Sequence, residues 1–341
     1  YIKGNMPTGF FEENNTDRIS TELSFDHQFG NHEHITVKNS FGHFRRVILE
    51  NAYTFGGTQT SSFTEITYAS HGEQTEWIGG LNLITDNFKE VQYTATPSRN
   101  YQQATFGGFI QNTWRVSEKV RIETGLRGDQ VKEYGFALLP RVSALFKFSP
   151  KLSSRVGGGL GYKAPNIFTE ESERLQYKNV LPVNDAVNKL EKSYGINADI
   201  NYKTKFADGE LSFSINHLFF YTRIKDPLLL QPDGGNFRFN NLAGHIDSRG
   251  METNVKLGYK DFKLFLGYTL TSTYLHQGNT KTESFLTPKH RLNSVLLYEV
   301  HEKWKVGLEG YYFGKQKLSD GTNGKSYWIT GFMVEKLWEK F

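Results

Sequence analysis

Apolar and polar side chains trade places at every second residue of this chain, and the alternation is sustained over stretches of 12 to 16 residues. Along 194–206, Tyr194, Ile196, Ala198, Ile200, Tyr202, Thr204 and Phe206 share one face, while Gly195, Asn197, Asp199, Asn201, Lys203 and Lys205 share the other. Period two is the period of a strand, so one face of each stretch is oily and the other wet. The pattern returns in Leu211, Phe213, Ile215, His217, Phe219 and Tyr221, in Met251, Thr253, Val255, Leu257 and Tyr259, in Val120, Ile122, Thr124 and Leu126, and in Trp304, Val306 and Leu308. Each stripe covers the ~9 to 11 residues that a tilted strand needs to cross a bilayer. No run approaches the ~20 apolar residues of a membrane helix, and the best short stretch is Leu228 to Leu230.

Connections between the stripes come in two kinds. Short turns fall at Gly30-Asn31, His71-Gly72, Ser117-Glu118-Lys119, Ser149-Pro150-Lys151, Ala207-Asp208-Gly209, Lys260-Asp261 and His301-Glu302. Long polar segments alternate with them, at 45–58, 88–101, 131–138, 164–192, 225–244, 276–288 and 317–326. Turns short on one side and loops long on the other describe hairpins standing in an outer membrane. A soluble propeller or sandwich also alternates, but its strands are nearer ~5 to 6 residues, a propeller repeats at a fixed period, and neither needs aromatic residues at both ends of an apolar band. The expected fold is all-β, an antiparallel transmembrane barrel whose strands cover 17–29, 34–46, 58–71, 74–87, 101–117, 119–131, 139–149, 151–163, 193–206, 210–224, 245–259, 261–276, 288–301, 303–316 and 327–341, fifteen in all.

Composition removes other classes. Forty basic against 36 acidic residues leave a net charge of +4, too balanced for a nucleic-acid footprint. With no cysteine there is no disulfide framework, thiolate metal site or cysteine nucleophile. Tyr1 to Gly9 lacks the basic and apolar regions of a signal peptide. Neighbouring Glu170, Glu171 and Glu173 make a poor acid/base pair, and His32 with His34 is at best a weak metal pair, so neither an enzyme nor a metal or other cofactor is expected.

Two segments go beyond pattern. Leu139-Pro140-Arg141-Val142-Ser143-Ala144-Leu145-Phe146-Lys147-Phe148-Ser149-Pro150, followed by Gly161-Tyr162-Lys163-Ala164-Pro165-Asn166, resembles the barrel signature of TonB-dependent outer-membrane receptors. Leu286-Thr287-Pro288-Lys289-His290-Arg291-Leu292-Asn293 is similar to that family's Thr-Pro-Lys-His strand opening, with weaker echoes in Gly125-Leu126-Arg127-Gly128-Asp129 and in Arg249-Gly250-Met251-Glu252. The resemblance implies a wall of about 22 strands around a plug, of which this chain supplies fifteen, so 1–341 is expected to be a partial barrel without the plug and the last strands. It further implies energy-coupled nutrient uptake at the outer membrane, with a ferric siderophore or similar iron chelate ranked first. A cobalamin or glycan receptor, or a passive porin-like channel, stands as the alternative. Implied partners are the TonB-ExbB-ExbD complex acting through the plug, lipid and lipopolysaccharide, a small-molecule nutrient and a surface lipoprotein.

The longest loop, 164–192, carries the expected ligand contacts Glu170, Arg174 and Tyr177, because long loops on rigid barrels carry binding. Lys163 and Arg223, near outer strand ends, are the basic residues placed to meet an anionic ligand or lipopolysaccharide phosphates. Lumen charges such as Arg121, Glu123, Arg127, Glu252, Lys256, Arg291 and Glu309 are expected to pair with the plug, with one another or with water.

Overall fold

The computed structural model describes residues 11–51, 53–91, 97–300, 303–318 and 320–338. In chain order come β1 (Glu12–Phe29), β2 (Glu33–Glu50), β3 (Tyr53–His71), β4 (Thr75–Glu90), β5 (Tyr101–Arg115), β6 (Val120–Val131), β7 (Gly135–Lys147) and β8 (Leu152–Lys163). After the short helix α1 (Glu170–Arg174) follow β9 (Glu191–Phe206), β10 (Leu211–Lys225), the hairpin β11 (Leu228–Asp233) and β12 (Asn236–Asn241), then β13 (His245–Tyr259) and β14 (Phe262–Gln277). The chain ends with β15 (Thr280–Glu283), β16 (His290–Val300), β17 (Trp304–Phe313), the two-residue strands β18 (Gln316–Lys317) and β19 (Asn323–Gly324), and β20 (Tyr327–Lys336). Fifteen strands pair with their wall neighbours in the path β1 to β10, β13, β14, β16, β17, β20, every pair antiparallel. All fifteen expected strands are among them.

The register explains why alternation alone is so informative. One face carries an unbroken apolar row, Phe213, Leu257, Leu264, Leu296, Leu308 and Phe332, across six neighbouring strands. The opposite face carries Ser153, Asn201, Asn216, Asn254, Gly267 and Asn293 in the same fashion. A one-residue slip anywhere would turn that strand's apolar set into the wet lumen, so two different solvents pin the register. The outward face exposes large apolar residues, Ile200, Phe219, Leu308 and Phe332 among them. So continuous an apolar band is tolerable only against lipid.

Several expected loops are strand or folded structure instead. The segment 45–58 is the top of one long hairpin, β2 and β3, whose 18 and 19 residues exceed a membrane span by about 8 residues, or roughly 25 Å. It stays extended because Ile48, Tyr53 and Phe55 on its inward side are buried against the loops described below. The segment 131–138 shrinks to a tight connection between β6 and β7, 225–244 holds β11 and β12, and 276–288 continues β14 into β15. The turn at His301-Glu302, the start Tyr1 to Gly9 and the strand end expected at 341 lie outside the described residues.

Candidate functional site at the outer mouth

The buried core of this chain is not in the membrane band. It lies on the lumen side of the outer strand ends, where Ile48, Tyr53, Phe55 and Phe88 meet Ile167, Tyr177 and Val180 from the longest loop and Leu228 and Phe239 from the β11–β12 hairpin. The loop 164–190 therefore folds inward as a cap. Its entry is set by the α1 N-cap, where the Thr169 hydroxyl accepts from the Ser172 amide, and its hairpin contact by the bridge between Val180 and Phe237. Asn188 donates to the Phe239 carbonyl at 3.0 Å, and Glu191 accepts from the Leu228 amide at 2.9 Å, so the cap is tied to the hairpin by polar as well as apolar contacts.

Arg99 is the centre of the cap. Its side chain is fully buried and ion-pairs Glu90, and its guanidinium also donates to the carbonyls of Tyr177 and Val180. It lies over the Phe55 ring at 4.7 Å, and the Tyr177 ring stacks on Phe55 as well, at 4.2 Å between centroids. A buried guanidinium is tolerable only when its donors are satisfied, and here a carboxylate and two loop carbonyls do so. Arg99 thus fastens the loop to the wall.

The sequence-derived ligand residues divide into three groups. Lys163, Glu170 and Arg174 are exposed and all three act electrostatically on Glu171, whose carboxyl burial pushes up while Lys163 and Arg174 oppose it. Lys163 also approaches Glu191 at 3.9 Å. Tyr177, by contrast, is only 2% exposed, and its hydroxyl donates to Glu173 at 2.6 Å. Burial, then the hydrogen bond to Glu173 and its charge, raises the Tyr177 phenol above its usual range. For Glu173, burial opposes ionisation, but the Tyr177 hydroxyl and the Arg46 guanidinium, 2.7 Å away, hold the carboxyl below its usual value. Arg223 belongs elsewhere: it shares its row with Tyr194 and Asp247, on the outward face, and its guanidinium donates to His245 at 2.9 Å.

Below the cap, the lumen face of β6 to β9 forms a recess lined by Arg121, Glu123, Arg141, Arg155 and Asn197. Glu123 ion-pairs Arg141, Arg127 pairs with Asp129 at 2.9 Å, Glu252 accepts from Asn254 at 2.6 Å and Glu309 accepts from the Tyr311 hydroxyl at 3.0 Å. Much of the expected lumen pairing is therefore within the wall. Sequence reading misses Arg99, Glu90 and Phe55, because the Arg99–Glu90 pair sits inside an expected loop and the contacts that enclose it, with Tyr177, Val180 and Phe55, lie far along the chain and carry no period.

A lipid-facing antiparallel wall, a polar lumen and an inward-folded loop at the outer mouth define the wall of an outer-membrane β-barrel. Comparison with known proteins makes the class specific. Residues 3–337 match the family described as TonB dependent receptor-like, beta-barrel, and the chain belongs to that family. It is 24% identical over 232 residues to the iron-regulated outer membrane virulence protein of Vibrio cholerae, covering 63% of this chain and 35% of that protein. Among solved structures, the FrpB iron transporter from Neisseria meningitidis superposes with a TM-score of 0.73 at 16% identity, over 95% of this chain and 56% of that one. A variant of the ferric enterobactin receptor from Pseudomonas aeruginosa gives 0.70 at 14% identity, over 96% and 55%. The chain thus spans about a third of the length of the curated relative and just over half of the solved receptors.

Proposed function

We propose that this chain forms the wall and outer mouth of an energy-coupled uptake receptor whose substrate is a ferric siderophore or a similar iron chelate. The observation that carries the reading is the family membership taken with its relatives, which are named as an iron-regulated outer membrane virulence protein, an iron transporter and a ferric enterobactin receptor. The cap is consistent with it: a mouth closed by a folded loop suits a receptor that holds its nutrient and opens on demand better than a passive pore. In this reading Lys163, Glu170 and Arg174 form the charged rim that meets an anionic chelate, and Tyr177 holds the loop that presents them. Arg223 serves the outward surface, at the level of lipopolysaccharide. The outer membrane has no ATP of its own, so opening is driven mechanically by the TonB-ExbB-ExbD complex acting on a plug, and a surface lipoprotein is a further partner of the loops. The chemistry is transport, not catalysis.

The test is uptake of radiolabelled iron chelates by cells carrying the full-length receptor, grown with and without iron, with TonB present or deleted. Induction under iron limitation together with TonB-dependent uptake is the expected result. Receptor levels indifferent to iron would move cobalamin and glycans to the front, and uptake that persists without TonB would indicate a passive channel.

A further inference from the structure

The hairpin turn Lys260-Asp261 sets the register of β13 against β14, and His245 and His276, each 15 residues from the turn, face one another at its outer end. Their rings stack at 4.4 Å between centroids and 9° between planes. Asp247, two residues along β13 on the same face, places its Oδ1 against His276 Nε2 and 3.9 Å from His245 Nε2. Among the described residues this is a group of histidine and carboxylate ligands whose donor atoms all lie within 4.8 Å of one another. Asp247 is buried, and His276 Nε2 is shielded from solvent without a well-formed hydrogen bond.

Arg223 fixes the state of this group. An arginine only donates, so its 2.9 Å contact makes His245 Nε2 an unprotonated acceptor whose lone pair the guanidinium takes up. The guanidinium therefore sits where a cation belongs. Two imidazoles and one carboxylate suit zinc-class ions, which bind such donors at ~2.0 to 2.2 Å and leave a position for water. Calcium and magnesium want six or more oxygens or a nearly complete water shell, and one carboxylate offers neither. A phosphate is disfavoured because Asp247 faces the same space. Closing the three donors around an ion takes side-chain movements of about 1 Å, since tetrahedral ligands sit roughly 3.4 Å apart.

We propose that His245, Asp247 and His276 form a binding site for a divalent transition-metal ion of the zinc class on the outward rim of the barrel, with Arg223 as its built-in competitor. The ion clips the outer end of β13 to that of β14 beneath the loops 225–244 and 276–290. The site lies on the opposite face of the wall from the lumen, so it stands or falls independently of the transported substrate.

The experiment is titration of the full-length receptor in detergent with Co²⁺, read by its visible ligand-field absorption, followed by displacement with Zn²⁺ and by calorimetry of Zn²⁺ itself. Wild type is expected to bind one equivalent. His245→Ala with His276→Ala should weaken binding by at least ~100-fold, as loss of direct ligands exceeds the 10- to 100-fold effects of outer-shell partners. Arg223→Gln should tighten it by roughly 10-fold, because a unit charge beside the ion is removed. Heat-modifiable gel migration reports that each variant still folds as a barrel. Binding that survives the double histidine change, an absence of any one-equivalent Co²⁺ spectrum, or weaker binding in Arg223→Gln would each overturn the proposal.

Discussion

The same strands are buried in two ways along their length. In the membrane band each side chain meets a solvent, lipid on one face and the lumen on the other, and few residues there are fully enclosed by protein. At the outer mouth, about eight further residues of β2 and β3 carry Ile48, Tyr53 and Phe55 into a protein core completed by a loop more than a hundred residues away in sequence. The band is held by register and lipid, the mouth by tertiary packing around one buried ion pair. The mouth can therefore loosen while the wall stays intact.

The largest break in that symmetry is expected from Arg99→Met. It leaves the Glu90 carboxylate, 4% exposed, buried without its partner and removes the donors to the Tyr177 and Val180 carbonyls. Removing one member of a buried pair costs about 3–5 kcal/mol. Hydrogen exchange should rise across 164–190, and trypsin should cut after Arg174 or Lys178, while gel migration of the barrel is unchanged. Phe55→Ala, which removes the ring between Arg99 and Tyr177, should act the same way at about 3 kcal/mol. Unfolding of the whole barrel in either variant would show that cap and wall are one cooperative unit.

The converse change is Ile200→Arg, at the middle of the outward stripe of β9. A basic residue on the lipid face near the midplane costs about 2–4 kcal/mol. Folding into vesicles should be weakened by that amount, with exchange in the cap of the folded fraction unaltered. An equal penalty in the cap would erase the distinction between the two regions.

This division also explains what the sequence makes legible. Tyr194 through Phe206 announces its strand because each side chain answers to a solvent that the sequence itself encodes. Ile48 and Phe55 read as parts of a loop, since their inward partners Val180 and Phe239 are chosen by topology and leave no local trace. Glu170 and Arg174 are identifiable as exposed charges, whereas the enclosure of Tyr177 is not. His245 and His276 are an intermediate case: once the turn at Lys260-Asp261 is recognised, equal distances from it place the two rings opposite each other. That arithmetic is within reach of the sequence, whereas proximity along the chain singles out His32 and His34 instead.

The smallest effect is expected at the edge of the cap, and pH gives it a sign. Glu173 accepts from Tyr177 and pairs with Arg46, and its carboxyl is held below the ordinary range, so the folded cap favours the ionised form. A depressed folded pKa contributes stability that is fully present above the unfolded value of ~4.3 and is lost as pH falls through the folded one. Glu173 is 46% exposed, so solvent screens the pair and a contribution of only ~0.2–1 kcal/mol is in keeping with surface ion pairs. Protection of the 175–181 amides, corrected for intrinsic exchange, should therefore be slightly higher in wild type than in Glu173→Gln at neutral pH. The gap should hold constant down to about pH 5.5 and close on further acidification. Raising the salt should narrow the neutral-pH gap without touching exchange in the membrane strands. A gap that widens on acidification would mean that Glu173 is held protonated in the folded cap, and that Arg46 does not stabilise its charge.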